Sequence, residues 1–190
     1  MVARLNQQQI LDIQQTFCQE CSSGPIAINT KDANRQHYEV PLDFFTHVLS
    51  KNMKYSGSIW QKQMSLEDSD KTTLDCYIDR ARMYDGHEVL ELGAGWGALS
   101  LHIAEKYKNT NVTTVTNSHT QKRYINNKIR DMKLTNITVI QSDINDFSTN
   151  GHFDTIFSIE MFEHLRNPRA VSYTHLRAHE TRHDLVCRLL

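Results

Sequence analysis

The chain lacks the features that would send it to a membrane, to nucleic acid or to an oxidising compartment. No apolar run in its 190 residues is long enough to span a bilayer. The amino terminus shows neither the basic nor the apolar region of a signal peptide, so the cytoplasm is the expected compartment. Charge of one sign is missing too. Twenty-one Lys and Arg face twenty-two Asp and Glu, for a net charge of −1, which leaves no polybasic footprint for nucleic acid or anionic lipid. Cysteine is scarce, with four residues: Cys18, Cys21, Cys76 and Cys187. Cys18 and Cys21 have metal-ligand spacing, but no second Cys or His pair lies at a matching interval, so they read as two reduced thiols on a helix and no metal is expected. Repeats and low-complexity tracts are also absent. The length fits one domain with a real core.

Glycine is sparse as well, yet three of the seven fall within Gly93-Ala-Gly95-Trp-Gly97. The apolar run Val89–Leu92 stops at this turn, and Ala98–Tyr107 then reads as an amphipathic helix. Strand, bare-backbone loop and helix follow in that order. Glycine lets the main chain turn sharply and approach a ligand with no side chain between them. The helix amino end offers unpaired N–H groups and a partial positive charge. Together they form a seat for the polar part of a nucleotide-like cofactor at the carboxyl edge of a parallel sheet. A tight turn with no ligand is the competing reading.

Upstream, Ile10, Ile13 and Phe17 recur at helical spacing, and Ser22-Ser-Gly-Pro25 closes that helix. Ile26 to about Val40 is polar and reads as irregular. Pro41 opens a short helix carrying Phe44, Phe45, Val48 and Leu49. Leu74, Tyr77, Ile78 and Ala81 form a further helical stripe that ends near Tyr84. Strands are expected over 87–92, 111–116, 136–141 and 153–159, with a helix from Ser118 whose spacing to Gln121 resembles a capping box. This alternation is the pattern of an α/β, doubly wound parallel sheet. The expected division is a helical cap over 1–84, a partial sheet domain over 85–170 and a foreign tail over 171–190. About four strands of an incomplete sheet are present.

In such a sheet the ligand lies across the carboxyl ends of the strands, so four loops matter. The first is the glycine turn. The second, Thr116-Asn117-Ser118 leading to Gln121, has no carboxylate, which counts against a nicotinamide dinucleotide. Its amides can still bond ribose hydroxyls. The third holds Asp143 and Ile144; Asp143 could accept from an adenine amino group, or could simply cap the turn after its strand. The fourth holds Glu160, Glu163 and His164 at i, i+3 and i+4, which share one face if the segment is helical. Two carboxylates beside an imidazole favour a cation and can accept a proton. A solvated helix start is the alternative. Tyr55-Ser56-Gly57 reads as a plain turn on spacing alone.

Taken together, these motifs resemble the cyclopropane fatty acid synthase and coclaurine N-methyltransferase group of S-adenosylmethionine-dependent methyltransferases. The likeness rests on His37–Pro41, Lys54-Tyr55-Ser56, Leu90–Gly97, Val112–Ser118 with Gln121, and Ser158–His164. It implies a class I methyltransferase, Rossmann-like fold and S-adenosyl-L-methionine as cofactor. Position by position, it implies that Tyr55 and Ser56 close over the methionine end and that Gly93 and Gly95 pass beneath it. Thr116, Asn117 and Gln121 would hold the ribose region, Asp143 and Ile144 would flank the adenine, and Glu160, Glu163 and His164 would face the methyl acceptor. Cyclopropane synthases usually carry Cys at the position of Gly57 and Gly at the position of Glu160. The Glu-x-x-Glu-His arrangement looks instead like the amine branch. The implied reaction is methyl transfer to a small-molecule amine; cyclopropanation or C-methylation of an unsaturated acyl chain, with peripheral membrane contact, is the alternative. No nucleic-acid partner is implied. A binding domain that keeps the fold without the catalysis is disfavoured by retention of the acidic–imidazole set.

Val171–Leu190 resembles a translated sequencing-library adapter. On that reading His175, His179 and His183 carry no metal hypothesis. The natural frame is interrupted near Ala170, and the fragment itself is expected to be inactive.

Overall fold

The computed structural model describes residues 6–28, 30, 40–167 and 170–171. The His37–Tyr38–Glu39 part of the first motif, most of the polar stretch before Val40, and the tail after Val171 lie outside the described residues.

Five helices and four strands are described, with a 3₁₀ turn near the end. Helix α1 (Gln7–Ser23) starts at Asn6, which exchanges side-chain and backbone bonds with Gln9 in a capping box. Its apolar residues share a face as expected, but that face is not buried: Ile13 and Phe17 are more than half exposed. Helix α2 (Leu42–Val48) begins one residue later than expected, with Pro41 as the cap. Only Phe45 of its apolar set is buried, packed on Trp96 with ring centroids 5.0 Å apart. Helix α3 (Leu66–Arg80) is capped reciprocally by Ser65 and Asp68 and buries Leu74, Tyr77 and Ile78. It stops before Tyr84 because Arg82 adopts the left-handed region, φ +51°.

From β1 (Glu88–Leu92) onward, strand and helix alternate: α4 (Ala98–Lys106), β2 (Asn111–Thr116), α5 (His119–Asp131), β3 (Ile137–Gln141) and β4 (Thr155–Phe157). All pairings are parallel, in the order β3-β2-β1-β4. β1 is flanked by β2 and β4, so Val89–Leu92 is buried on both faces, which explains an apolar run broken only by Glu91. β4 is shorter than expected because its ladder on β1 runs only from Thr155 opposite Val89 to Phe157 opposite Glu91. At the start of α5, Ser118 Oγ accepts from the Gln121 N–H at 3.3 Å, but the box is left half-formed. The Gln121 side chain turns to Thr116 instead.

One apolar cluster lies under α3 and α4, including Leu74, Ile78, Val89 and Ile103. A second, on the other face of the sheet, gathers Ala27, Leu90, Leu92 and Phe153. Chain direction reverses at β1: the path runs to β2 and β3 on one side and returns to β4 on the other. The loops after β1 and β4 therefore diverge and leave a crevice at the carboxyl edge.

Gly97 caps α4 at φ +83°, and a Cβ there would sit 2.9 Å from Ile125 Cγ1. Gly97→Ala combines a left-handed backbone penalty with overpacking of α5. It is expected to cost about 2 kcal/mol, read as a lower urea midpoint at unchanged slope.

Candidate active site

The crevice is a cavity of about 420 Å³. Its floor is the glycine turn. Gly93 and Ala94 both donate N–H to Val115 O, at 3.0 and 2.9 Å, which fastens the turn to the neighbouring strand. Gly95, at φ +52°, faces open space, with no atom within 4 Å of a Cβ built on it. A side chain there would stand in the cavity, so the bare backbone is what leaves room for a ligand.

The second loop supplies a polar wall. Thr116 Oγ1 donates to Gln121 Oε1 at 2.7 Å and accepts from the Ser118 N–H at 3.1 Å. Gln121 is 2% exposed, and its Nε2 has no hydrogen-bond partner among the described residues. A buried amide donor left unmatched costs on the order of 1–3 kcal/mol, so a polar ligand completing it is physically apt. Asn117 is exposed at the rim of the same cavity. The open backbone at Gly95 and the unmatched amide of Gln121 leave room and a donor for a polar ligand in this cavity.

The third loop divides. Ile144 is buried and lines the cavity. Asp143 is not among the lining residues. Its Oδ1 accepts from the backbone N–H and the side-chain amide of Asn145, at 2.9 and 2.8 Å. Asn145 in turn exchanges two 3.0 Å bonds with the backbone of Ala27, clasping the segment after α1 over this end of the crevice.

The fourth loop brings Glu160, Glu163 and His164 into the same cavity as the glycine turn. They do not share a helix. Phe162–His164 form a single 3₁₀ turn, and Glu160 stands before it at φ +48°. Glu160 Oε1 accepts from the Gly57 N–H at 3.1 Å, so the two positions that depart from the cyclopropane synthase pattern touch each other. Among the described residues no hydrogen bond joins Glu163 to His164; both are exposed to the cleft. Tyr55 and Ser56 lie on the strap beside Gly57, and the Tyr55 ring stands edge-on to Phe45 at 5.3 Å.

Two lining residues were given no role from the sequence. Glu91 lies within the apolar run of β1, between Leu90 and Leu92, and is 3% exposed. It accepts from Thr114 Oγ1 at 2.7 Å, and burial pushes its carboxyl up to about 7. A lone acid inside a central strand was the available signal. Lys54 is 5% exposed, and burial lowers its ammonium below the usual lysine range, against the opposing pull of Asp70 and Glu160. Its place directly before Tyr55-Ser56 was the only hint.

Because the folded-state value of Glu91 lies above that of an unfolded glutamate, the native protein holds the extra proton between about 4.5 and 7. Its contribution is fully present below the lower value and is lost as pH rises through the upper one. Glu91→Gln should remove that loss and stand about 3 kcal/mol above the parent at pH 8, with a smaller gap at pH 5. Urea midpoints at the two pH values check it; equal gaps at both would contradict it.

A family model described as mycolic acid cyclopropane synthetase matches residues 27–187. The chain is 39% identical over 143 residues to (S)-coclaurine N-methyltransferase of Thalictrum flavum subsp. glaucum, an alignment covering 75% of this chain and 40% of that one. It is 30% identical over 131 residues to cyclopropane-fatty-acyl-phospholipid synthase of Escherichia coli (strain K12), covering 69% and 33%. The chain thus spans about two fifths or less of the length of these relatives. Among solved structures, coclaurine N-methyltransferase bound to N-methylheliamine and SAH superposes with a TM-score of 0.81 at 35% identity, over 91% of this chain and 50% of that one. The fold is the class I methyltransferase, Rossmann-like arrangement, and the chain belongs to the mycolic acid cyclopropane synthetase family.

Proposed function

We propose that the intact protein, with its frame uninterrupted past Ala170, transfers the methyl group of S-adenosylmethionine to a small-molecule amine. The observation that carries this reading is the opening of the Gly95 turn and the Glu160–Glu163–His164 set onto one cavity. When bound, S-adenosylmethionine supplies a methyl already activated on a sulfonium. The protein's task is then to align the acceptor and manage its proton.

An ammonium has no lone pair, so a proton must leave before nitrogen can attack. An imidazole nitrogen of His164 takes it, with the Glu163 carboxylate lining the same acceptor side of the cavity. Glu160, fixed by the Gly57 amide, holds the amine cation in place before it is deprotonated. Thr116, Asn117 and Gln121 hold the ribose region, Ile144 packs the adenine, and Asp143 shapes that end through Asn145. Tyr55 and Ser56 cover the methionine end, above Gly93 and Gly95. The acidic lining suits a cationic acceptor better than an anion. The amine-methylating relative, 39% identical, supports the same choice.

Similarity to the E. coli lipid-modifying enzyme supports a second reading, alkylation of an unsaturated acyl chain. Among the described residues no helix is long and apolar enough to cross a membrane, so such a substrate would be met at a membrane surface. Incubating the intact protein with methyl-labelled cofactor and either an amine panel or phospholipid vesicles separates the two. Label is expected in the amine fraction; label confined to lipid would overturn the amine reading. His164→Ala and Glu160→Ala should lower turnover on the order of a hundredfold while leaving affinity for S-adenosylhomocysteine within about threefold. Unchanged turnover in both variants would remove these roles.

A further inference from the structure

The buried lysine is the group that the proposed chemistry leaves unused. Lys54 sits where a cation is costly unless matched. Its Nζ donates to Ser56 Oγ at 2.6 Å and to the Gly57 carbonyl at 2.5 Å, and lies 5.4 Å from the centroid of the Tyr77 ring. Two of its three protons are thus spent on the strap that follows it. Asp70 faces it from α3 and Glu160 from the fourth loop. Asp70, 1% exposed, accepts from Ser50 and Ser58, each at 2.5 Å. The Ile59 N–H donates to Thr73 Oγ1 at 2.7 Å, so the far end of the strap is pinned to α3 as well.

Gly57 is where these ties converge. Its carbonyl faces Lys54 and its N–H faces Glu160. Glu160 itself sits in the left-handed region, which a non-glycine residue keeps only when its surroundings hold it. The Gly57 amide is the one hydrogen bond from another element seen on the Glu160 side chain among the described residues. Lys54 has little accessible surface of its own. Its reach toward the acceptor therefore runs through the backbone of Gly57.

We propose that Lys54 is a positioning residue for the acceptor side of the cleft: it holds the Tyr55–Gly57 strap in the shape that presents the Gly57 amide to Glu160. The catalytic consequence rests on the reading of Glu160 given above, but the positioning itself can be tested without turnover.

The test follows the Gly57 amide by NMR and hydrogen exchange in the ¹⁵N-labelled protein. Lys54→Met keeps length and apolar bulk but removes the charge and donors. It should speed Gly57 exchange about tenfold and shift its amide proton upfield, while the amides of Val89–Leu92 stay protected as a measure of global folding. Lys54→Arg, which keeps a cation with several donors, should hold Gly57 within about threefold of the parent. Glu160→Ala should expose the same amide with Lys54 in place. Loss of Gly57 protection in both lysine variants, or in neither, overturns the proposal. Should Lys54→Met lose the β1 amides too, Ser56→Ala removes one of the lysine's two strap acceptors without touching the core. An unmoved Gly57 signal in that variant overturns it equally. Label transfer to no amine, with Gly57 still dependent on Lys54, would sink the amine reading alone.

Discussion

The cleft depends on one constraint of parallel sheets: β1 has a parallel neighbour on each side, and the chain reaches those neighbours in opposite directions. Crossover connections of like hand then place the loop after β1 and the loop after β4 on diverging paths, and the cavity lies between them. The two bonds from Gly93 and Ala94 to Val115 O turn that topological gap into a defined floor. They anchor the glycine turn to β2, so the backbone at Gly95 lies flat beneath the cavity. Every candidate residue is placed relative to this floor. Gln121 comes from the helix after β2, Ile144 from the loop after β3, and Glu160 from the loop after β4.

The electrostatics of the cavity follow from what this arrangement buries. Glu91 is drawn inside by its strand, and burial pushes its carboxyl up to about 7 although the Thr114 and Ser100 hydroxyls pull the other way. Lys54 is buried from the opposite wall and answered by two strap oxygens and two carboxylates. Glu160, Glu163 and His164 remain on the exposed side. The charged groups are thus sorted by depth. Those fixing the walls are buried and matched, and those proposed to meet the acceptor stay where water and substrate can reach them. The Glu160 and Glu163 carboxylates therefore lie nearer the rim of the cavity than the buried Glu91.

Much of this was legible in the residues. Strand β2 falls at its expected limits because the β-branched run Val112–Thr116 ends at a polar loop. β1 was marked by its apolar run and the glycines after it. The fourth strand was overextended because apolar content continues through Ile159, whereas the ladder ends opposite Glu91. Ile159 is apolar because it packs against the cluster beside β1, not because it is paired. At α1 the periodicity was right although the stripe is exposed, since a helical stripe says which residues share a face and nothing about what covers it. The site shows the same split. Motif order located all four loops, but Asp143 faces Asn145, and Gln121 gives its carbonyl to Thr116 rather than to its own helix. Side-chain choices among several nearby partners are settled by packing, which spacing does not encode.

The contact between Gly57 and Glu160 shows how far such coupling extends. The two positions are separated by 103 residues and belong to different walls, yet the N–H of one fixes the carboxylate of the other. A Cβ at position 57 would lie 4.0 Å from Glu160 Oε1, ordinary van der Waals distance, so space alone does not demand glycine there. What the position must supply is an amide held at the right angle, and any residue can supply one if the strap keeps its shape. The strap's shape is set from behind by Lys54, Asp70 and Thr73, none of which needs to touch a ligand. If Glu160 meets the acceptor as proposed, the wall that carries the strap bears on acceptor preference together with the carboxylates. Asp70 and Thr73 on α3 thus tie down the segment that follows the strap although they lie well before the sheet in sequence.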